Sequence, residues 1–198
     1  MRAPLLFLVC SGLLAAYSVA FDQHDYYPSS DGGEWIMNAQ VVSPSGAATP
    51  ATAHRKVEGQ VEKDGKTYRR MRTWSDIGSS PKEFLTLFRK DEGGCYTLSE
   101  QEKDAVEQTE MIFPIKVGRT WTRIFQGVNF TATLVGVESV IVGDKTYDEC
   151  LHIRAVTADG KMTEDYWEAP KVGTVKADMV YPNGVKLILT IREFKPGK

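Results

Sequence analysis

The sequence predicts an all-β protein, an antiparallel barrel or two-sheet sandwich built from two tandem repeats. Three observations carry that expectation. Short runs rich in β-branched and aromatic residues recur at regular spacing, turn-forming pairs separate them, and the chain repeats itself. Shifted by 86 residues, Tyr27-Pro28, Gly32 and Trp35 overlay Phe113-Pro114, Gly118 and Trp121. Shifted by 79, Gly65-Lys66-Thr67-Tyr68 overlays Asp144-Lys145-Thr146-Tyr147, Phe88 overlays Trp167, and Gly94 overlays Gly173. The change of shift leaves seven fewer residues between Trp and Tyr in the second copy, where loops vary most easily. Repeat one spans about 27–98, a linker about 99–111, and repeat two about 112–194.

The individual elements follow in order. Phe21 to Gly33 reads as a polar, turn-rich leader, Trp35–Val42 as a strand, and Ser43 to Pro50 as a loop. Val57, Gly59 and Val61 alternate with polar residues up to Asp64-Gly65, a two-residue hairpin turn that returns the chain along 66–74. Ser79-Ser80-Pro81 breaks it, Glu83–Arg89 is a strand, and Asp91 to Gly94 turns into Cys95–Leu98. Ser99-Glu100-Gln101-Glu102 fits a helix-capping box, but the following segment is too poor in apolar residues for an amphipathic helix. It reads as a polar linker that enters a strand near Met111. In the second copy Trp121–Phe125 and Phe130–Val142 are strands, the latter with a bend or bulge at Gly136. Gly143-Asp144, Asp159-Gly160 and Asn183-Gly184 then separate Tyr147–Val156, Met162–Glu168, Val175–Tyr181 and Val185–Phe194. The total is ten to twelve strands.

The chain begins as secretory signals do: Arg2, an apolar run from Leu5 to Ala16, then Ser18-Val19-Ala20. Residues 1–20 are expected to be a signal peptide cleaved after Ala20, since the run is shorter than the ~20 residues that span a bilayer. The remaining 21–198 form one β domain with no later apolar stretch long enough for a transmembrane helix, and the destination is secreted or periplasmic. The formal net charge of −2, which loss of Arg2 takes to −3, argues against a nucleic-acid partner. Cys10 leaves with the signal. Cys95 and Cys150 remain, one in each copy, and in an oxidising compartment they either pair or stay as isolated buried thiols.

Candidate chemistry is sparse. His24, His54 and His152 are widely spaced and form no zinc pattern, so no metal and no cofactor are expected. No nucleophile elbow, catalytic cysteine context or phosphate-binding glycine loop appears, so no catalytic residue is assigned and the protein is read as not an enzyme. Asp148, Glu149, Glu164, Asp165 and Glu168 read as solvated hairpin charges, and Trp167, matching Phe88, as core. The most suggestive constellation is Tyr68, Arg70, Arg72 and Trp74, which share one face of a regular strand. Rings and guanidinium groups there could hold an anionic or amphiphilic ligand, or form the wet face of a sheet shielded by arginine stems.

Phe113-Pro114-Ile115-Lys116-Val117-Gly118-Arg119-Thr120-Trp121, then Gly136-Val137-Glu138, Tyr147 with Cys150, and Tyr166-Trp167-Glu168-Ala169-Pro170-Lys171-Val172-Gly173-Thr174-Val175-Lys176 resemble a group of exported bacterial β-proteins known as TapB-like, or loosely lipocalin-like. The resemblance covers about Phe113 to Phe194. It implies a β-barrel or sandwich in the cell envelope and carries over no functional residue. Two functions are then expected. The first is non-enzymatic binding of a lipid-like or other amphiphilic molecule, which needs a hollow interior; the second is a structural or interaction module that contacts another envelope protein, which needs a packed one.

Overall fold

The computed structural model describes residues 22–78, 82–125 and 127–198. The expected signal peptide and Ser79-Ser80-Pro81 lie outside them. A 3-10 turn at Gln23–Asp25 precedes twelve strands: β1 (Glu34–Val42), β2 (Ala48–Lys63), β3 (Lys66–Ser75), β4 (Lys82–Asp91), β5 (Gly94–Ser99), β6 (Gln108–Ile112), β7 (Thr120–Phe125), β8 (Val128–Val142), β9 (Lys145–Thr157), β10 (Thr163–Ala169), β11 (Gly173–Val180) and β12 (Lys186–Lys195). All pair antiparallel in one sheet, ordered β6-β5-β4-β3-β2-β1-β12-β11-β10-β9-β8-β7. The first and last strands pair along nine positions from Glu34↔Lys195 to Val42↔Lys186, so the sheet curls into a nearly closed barrel. Its seam lies between β6 and β7, which are neighbours without a shared ladder. The barrel alternative is therefore the correct one, and the sandwich is set aside.

Local chemistry explains the hairpins. Asp64 and Gly65 both have positive φ, 52° and 71°, as a two-residue turn matched to strand twist requires. Gly136 sits at a register shift in the β8–β9 ladder, as its place inside a β-branched run suggested. The loop after β1 is shorter than the sequence indicates, because β2 already begins at Ala48 and includes Pro50. Proline is tolerated there because β3 pairs with β2 only from Ala53 onward, leaving the Pro50 side free of a ladder. The positions that overlay in the shifted sequence fall on strands six apart: Trp35 on β1 and Trp121 on β7, Tyr68 on β3 and Tyr147 on β9, Phe88 on β4 and Trp167 on β10. Gly32 and Gly118, at φ 80° and 83°, adopt the left-handed backbone just before β1 and β7, a conformation glycine takes without steric cost.

The interior divides into two apolar clusters. One gathers Tyr26, Phe88, Cys95, Met111, Phe113, Trp121, Phe130, Leu134, Leu151 and Ile153; the other Trp35, Met37, Val57, Val140, Cys150, Val175 and Ile191. Antiparallel alternation places the β2–β3, β4–β5, β6–β7, β8–β9 and β10–β11 connections at the end where β1 begins. The leader seals that end. It is not the purely polar segment the sequence suggested: Tyr26 is fully buried, and its hydroxyl donates to the Glu149 carbonyl at 2.9 Å. Tyr27 stacks on Phe88, Trp35 donates to the Val172 carbonyl at 2.5 Å, and Lys198 N–H binds the Asp31 carbonyl. At the far end β5 and β6 are short, so β4 residues 82–85 have no strand partner on that side. Among the described residues no helix is long and apolar enough to cross a membrane.

Candidate functional site

Between the two clusters the barrel holds a charged group that sequence reasoning missed. Glu164, Tyr166 and Glu168 are alternate residues of β10, so all three point inward, opposite Ala155, Ile153 and Leu151 of β9. Glu164 is fully buried and Glu168 is 1% exposed. From β7, Arg123 donates through Nη1 to Glu164 Oε2 at 2.9 Å, and Tyr166 donates to the same oxygen at 2.7 Å. Across the seam Arg123 Nε lies 3.0 Å from Glu110 Oε2 of β6. It is an ion pair without hydrogen-bond alignment. Glu110 reaches the interior because a register shift in the β5–β6 ladder leaves it without a counterpart, and Thr97 donates to its other oxygen at 2.8 Å. Arg123 and Glu110 thus tie the barrel shut where the backbone ladder is missing. Burial works against the Arg123 charge, but Glu110, Tyr166 and Glu164 hold its pKa well above the ordinary value.

Glu168 stands apart from that group. Thr174 donates to one of its oxygens at 2.8 Å, while Oε2 is buried and has no partner. Burial pushes its carboxyl up to about 7, against the opposing pull of Thr174 and Arg55. It lines a cavity of about 60 Å³ with Tyr27, Arg55, Glu110, Arg123 and Tyr166. A second void of about 10 Å³ lies under Trp121, Leu134 and Ile153 near the seam. The solvated reading of Glu164 and Glu168 is thereby corrected. Their alternation with Asp165 and Trp167 makes both faces of β10 partly polar, so no hydrophobic contrast marked the inner one.

Tyr68, Arg70, Arg72 and Trp74 do share one face of β3. It is the outer one, since Met71 between them packs on both interior clusters. The linker after β5 folds back over this face: Tyr68, Leu87 and Leu98 form a small cluster, and Ala105 of the linker packs against it. Tyr68 donates to Glu107 at 2.6 Å, and Arg89 grips the same carboxylate at 2.6 and 2.7 Å. These contacts hold the Glu107 carboxyl down at about 2, the Arg89 bonds outweighing burial. Arg70 is engaged by Glu100, Arg72 by Glu83 at 2.6 Å and Glu58 at 3.7 Å. Trp74 stacks on His54, with ring centroids 4.9 Å apart, and has the Arg72 guanidinium 5.3 Å from its ring. The guanidinium groups intended for a ligand are therefore already paired with the chain's own carboxylates.

Trp167, expected in the core, is only partly buried at the edge of the second cluster, with His152 stacked on its ring at 4.5 Å and Lys176 4.2 Å from its centroid. His152 occupies the face opposite Leu151 and Ile153, 2.7 Å from Asp165 and 3.3 Å from Glu138. The bridge between Cys95 and Cys150 is not formed. Both are free, buried thiols, held in different clusters, Cys95 with Phe88 and Met111, Cys150 with Val140 and Val175. Burial pushes each thiol up to about 12, far from a reactive thiolate. Among the described residues no group of three or more His, Cys, Asp or Glu side chains could hold a metal ion.

The barrel has solved counterparts. A "putative exported protein with YmcC-like fold" from Bacteroides fragilis superposes with a TM-score of 0.54 at 13% identity, covering 86% of this chain and 98% of that one. The shared fold is YmcC-like. A "putative lipoprotein" from Parabacteroides distasonis aligns with a TM-score of 0.49 at 12% identity, covering 85% and 97%. At these identities the first likeness speaks for the YmcC-like architecture alone, and neither protein bears the TapB-like name. No protein-family model and no curated protein matches the chain.

Proposed function

We propose that the chain is an exported, non-enzymatic interaction module that contacts another envelope protein through the barrel end opposite the leader. The observation that carries this reading is the placement of exposed apolar side chains. Phe84 at the start of β4, Ile124 and Phe125 at the end of β7 and Val128 at the start of β8 are 40%, 37%, 41% and 41% exposed. All four lie at the end where β5 and β6 fall short; Val117 and Ile141, 51% and 73% exposed, lie at the opposite end, in the β6–β7 connection and beside the β8–β9 turn. Water-exposed apolar side chains at one end of a barrel are what a partner covers; the start of β4 is already capped, its Leu85 carbonyl accepting from Glu100 N–H at 2.9 Å and its Glu83 carbonyl from Gln101 Nε2 at 3.4 Å, so the contact is made through side chains. The interior supports the same choice. A pocket for a drug-sized or lipid-like molecule measures roughly 300–1,000 Å³ and is mostly apolar, whereas the larger interior cavity is about 60 Å³ and lined by Arg55, Glu110, Arg123 and Glu168. Export follows from the signal-like first 20 residues.

Native mass spectrometry of protein purified gently from an exporting host tests the reading. A protein adduct that is lost in a Phe84→Asp/Ile124→Asp variant is the expected result. A reproducibly retained lipid mass, unaffected by that variant, would overturn it in favour of an amphiphile carrier.

A further inference from the structure

Two groups of opposite charge line the interior cavity without satisfying each other. Glu168 is 1% exposed, and its Oε2 is buried without a donor. It sits at a register shift in the β10–β11 ladder, a local irregularity of the kind that re-aims a side chain. Arg55 shares the inward face of β2 with Val57, lines the same cavity and makes no ion pair with a carboxylate among the described residues. Its charge is felt at Glu168, but the two are not joined. The cavity they share is about 60 Å³, room for about two waters at roughly 30 Å³ each. That is too small for an organic ligand, so the partner that Oε2 lacks has to come from the cavity wall.

We propose that Glu168 and Arg55 form a proton-controlled latch: while Glu168 holds a proton Arg55 stays apart, and when Glu168 gives its proton to solvent Arg55 swings across the cavity onto Oε2, joining β10 to β2 through the barrel interior. The charged groups facing Glu168 are Arg55 from β2, Glu110 from β6 and Arg123 from β7. Cys95 from β5, Cys150 from β9 and Tyr27 from the leader also feel its charge, and Glu164 and Tyr166 share its strand. Arg123 is committed to Glu110 and Glu164, which leaves Arg55 as the cation free to move. Its long stem lets the guanidinium travel while the strand stays in place. The thiols and Tyr27 keep their protons at neutral pH, whereas the Glu168 carboxyl, pushed up to about 7 by burial, changes charge there. A buried carboxylate is costly until a cation meets it, so ionisation supplies the drive that draws Arg55 inward and offsets part of that cost. Linkage makes the effect reciprocal: a latch that closes on the ionised form pulls the titration of Glu168 downward. The latch does not depend on the partner surface proposed above, since either can exist without the other.

The test is a pH titration of the full chain by nuclear magnetic resonance, following the carbon-13 resonance of the Glu168 carboxyl group and the nitrogen-15 resonances of the Arg55 guanidinium. The expected result is that rotation about the Arg55 Nε–Cζ bond slows at least about tenfold as a charge-assisted contact forms, with the same midpoint as the Glu168 carboxyl. In Glu168→Gln the Arg55 rotation should no longer depend on pH. In Arg55→Met the Glu168 midpoint should rise by about one pH unit or more, as loss of a nearby opposite charge requires. Should either variant fail to fold, the two midpoints of the unaltered protein decide the matter. An Arg55 guanidinium that rotates equally fast on both sides of the Glu168 midpoint, or that slows just as much in Glu168→Gln, would overturn the proposal.

Discussion

The two ends of the barrel are finished differently. At one, the leader tucks Tyr26 fully out of water, lays Tyr27 on Phe88 and lets the chain's last residue bond back to Asp31. At the other, β5 and β6 stop early, and Phe84, Ile124, Phe125 and Val128 remain exposed. Between them lies a charged interior that holds the seam through side chains. Under the proposed function, stability and contact are separated along the barrel axis: the sealed end and the interior hold the buried packing, and the open end is expected to tolerate alteration or covering at little cost to the fold.

Four substitutions would break or sharpen this contrast. Tyr26→Ala should cost ~3–5 kcal/mol in denaturant unfolding, because it empties the plug of the sealed end and strands the Glu149 carbonyl; an unchanged midpoint would reduce the leader to decoration. Arg123→Met should cost about 3–5 kcal/mol, since it leaves Glu164 and Glu110 buried without their cation, and it should speed hydrogen exchange at β6 and β7 more than at β1 and β12. Equal acceleration at both junctions would mean that Arg123 does not tie the seam.

Glu168 makes a pH prediction of definite sign. Its folded pKa of about 7 lies above the ordinary 4.5, so the folded state binds the extra proton, and stability contributed by neutral Glu168 is lost as pH rises from about 4.5 through 7. Glu168→Gln should therefore flatten the decline of stability between pH 5 and 7 by up to a few kcal/mol, a change read directly from denaturant midpoints. A parallel decline in the variant would place the titration elsewhere. Glu107 acts in the opposite sense: its depressed pKa contributes stability that is lost as pH falls from 4.5 towards 2. The smallest effect belongs to the open end, where Ile124→Asp should shift stability by no more than about 0.5 kcal/mol. A loss comparable to that of Tyr26→Ala would show the open end to be part of the core.

Much of the architecture was legible in the sequence, because hairpin chemistry is local. Asp64-Gly65, Asp159-Gly160 and Asn183-Gly184 fix their turns by backbone preference, and Gly136 marks its bulge, so the strands flanking those turns were bounded closely, whereas the early start of β2 at Ala48 was not. The choice between barrel and sandwich was not legible, because it rests on one long-range ladder between β1 and β12, 144 or more residues apart in sequence. The candidate site was legible only in part. The alternation that placed Tyr68, Arg70, Arg72 and Trp74 on one face was correct, yet alternation does not say which face is inside, and the neutralising Glu100 and Glu83 come from other segments. Glu164 was hidden for a related reason: its neutralising cation, Arg123, and the bulge that turns Glu110 inward lie on β7 and β6, about 40 or more positions away, while Glu168 is buried with only Thr174 bonded to it and has no bonded cation that a pattern could reveal.

The central claim is that contact runs through the open end and not the sealed one. The most direct measurement is site-specific photo-crosslinking in an exporting host, with a photoreactive residue placed at Phe125 in one version and at Val117, exposed in the β6–β7 connection of the sealed end, in another. The account predicts one discrete protein adduct from position 125 and none from position 117. Adducts from position 117 alone, or the same products from both, would contradict it.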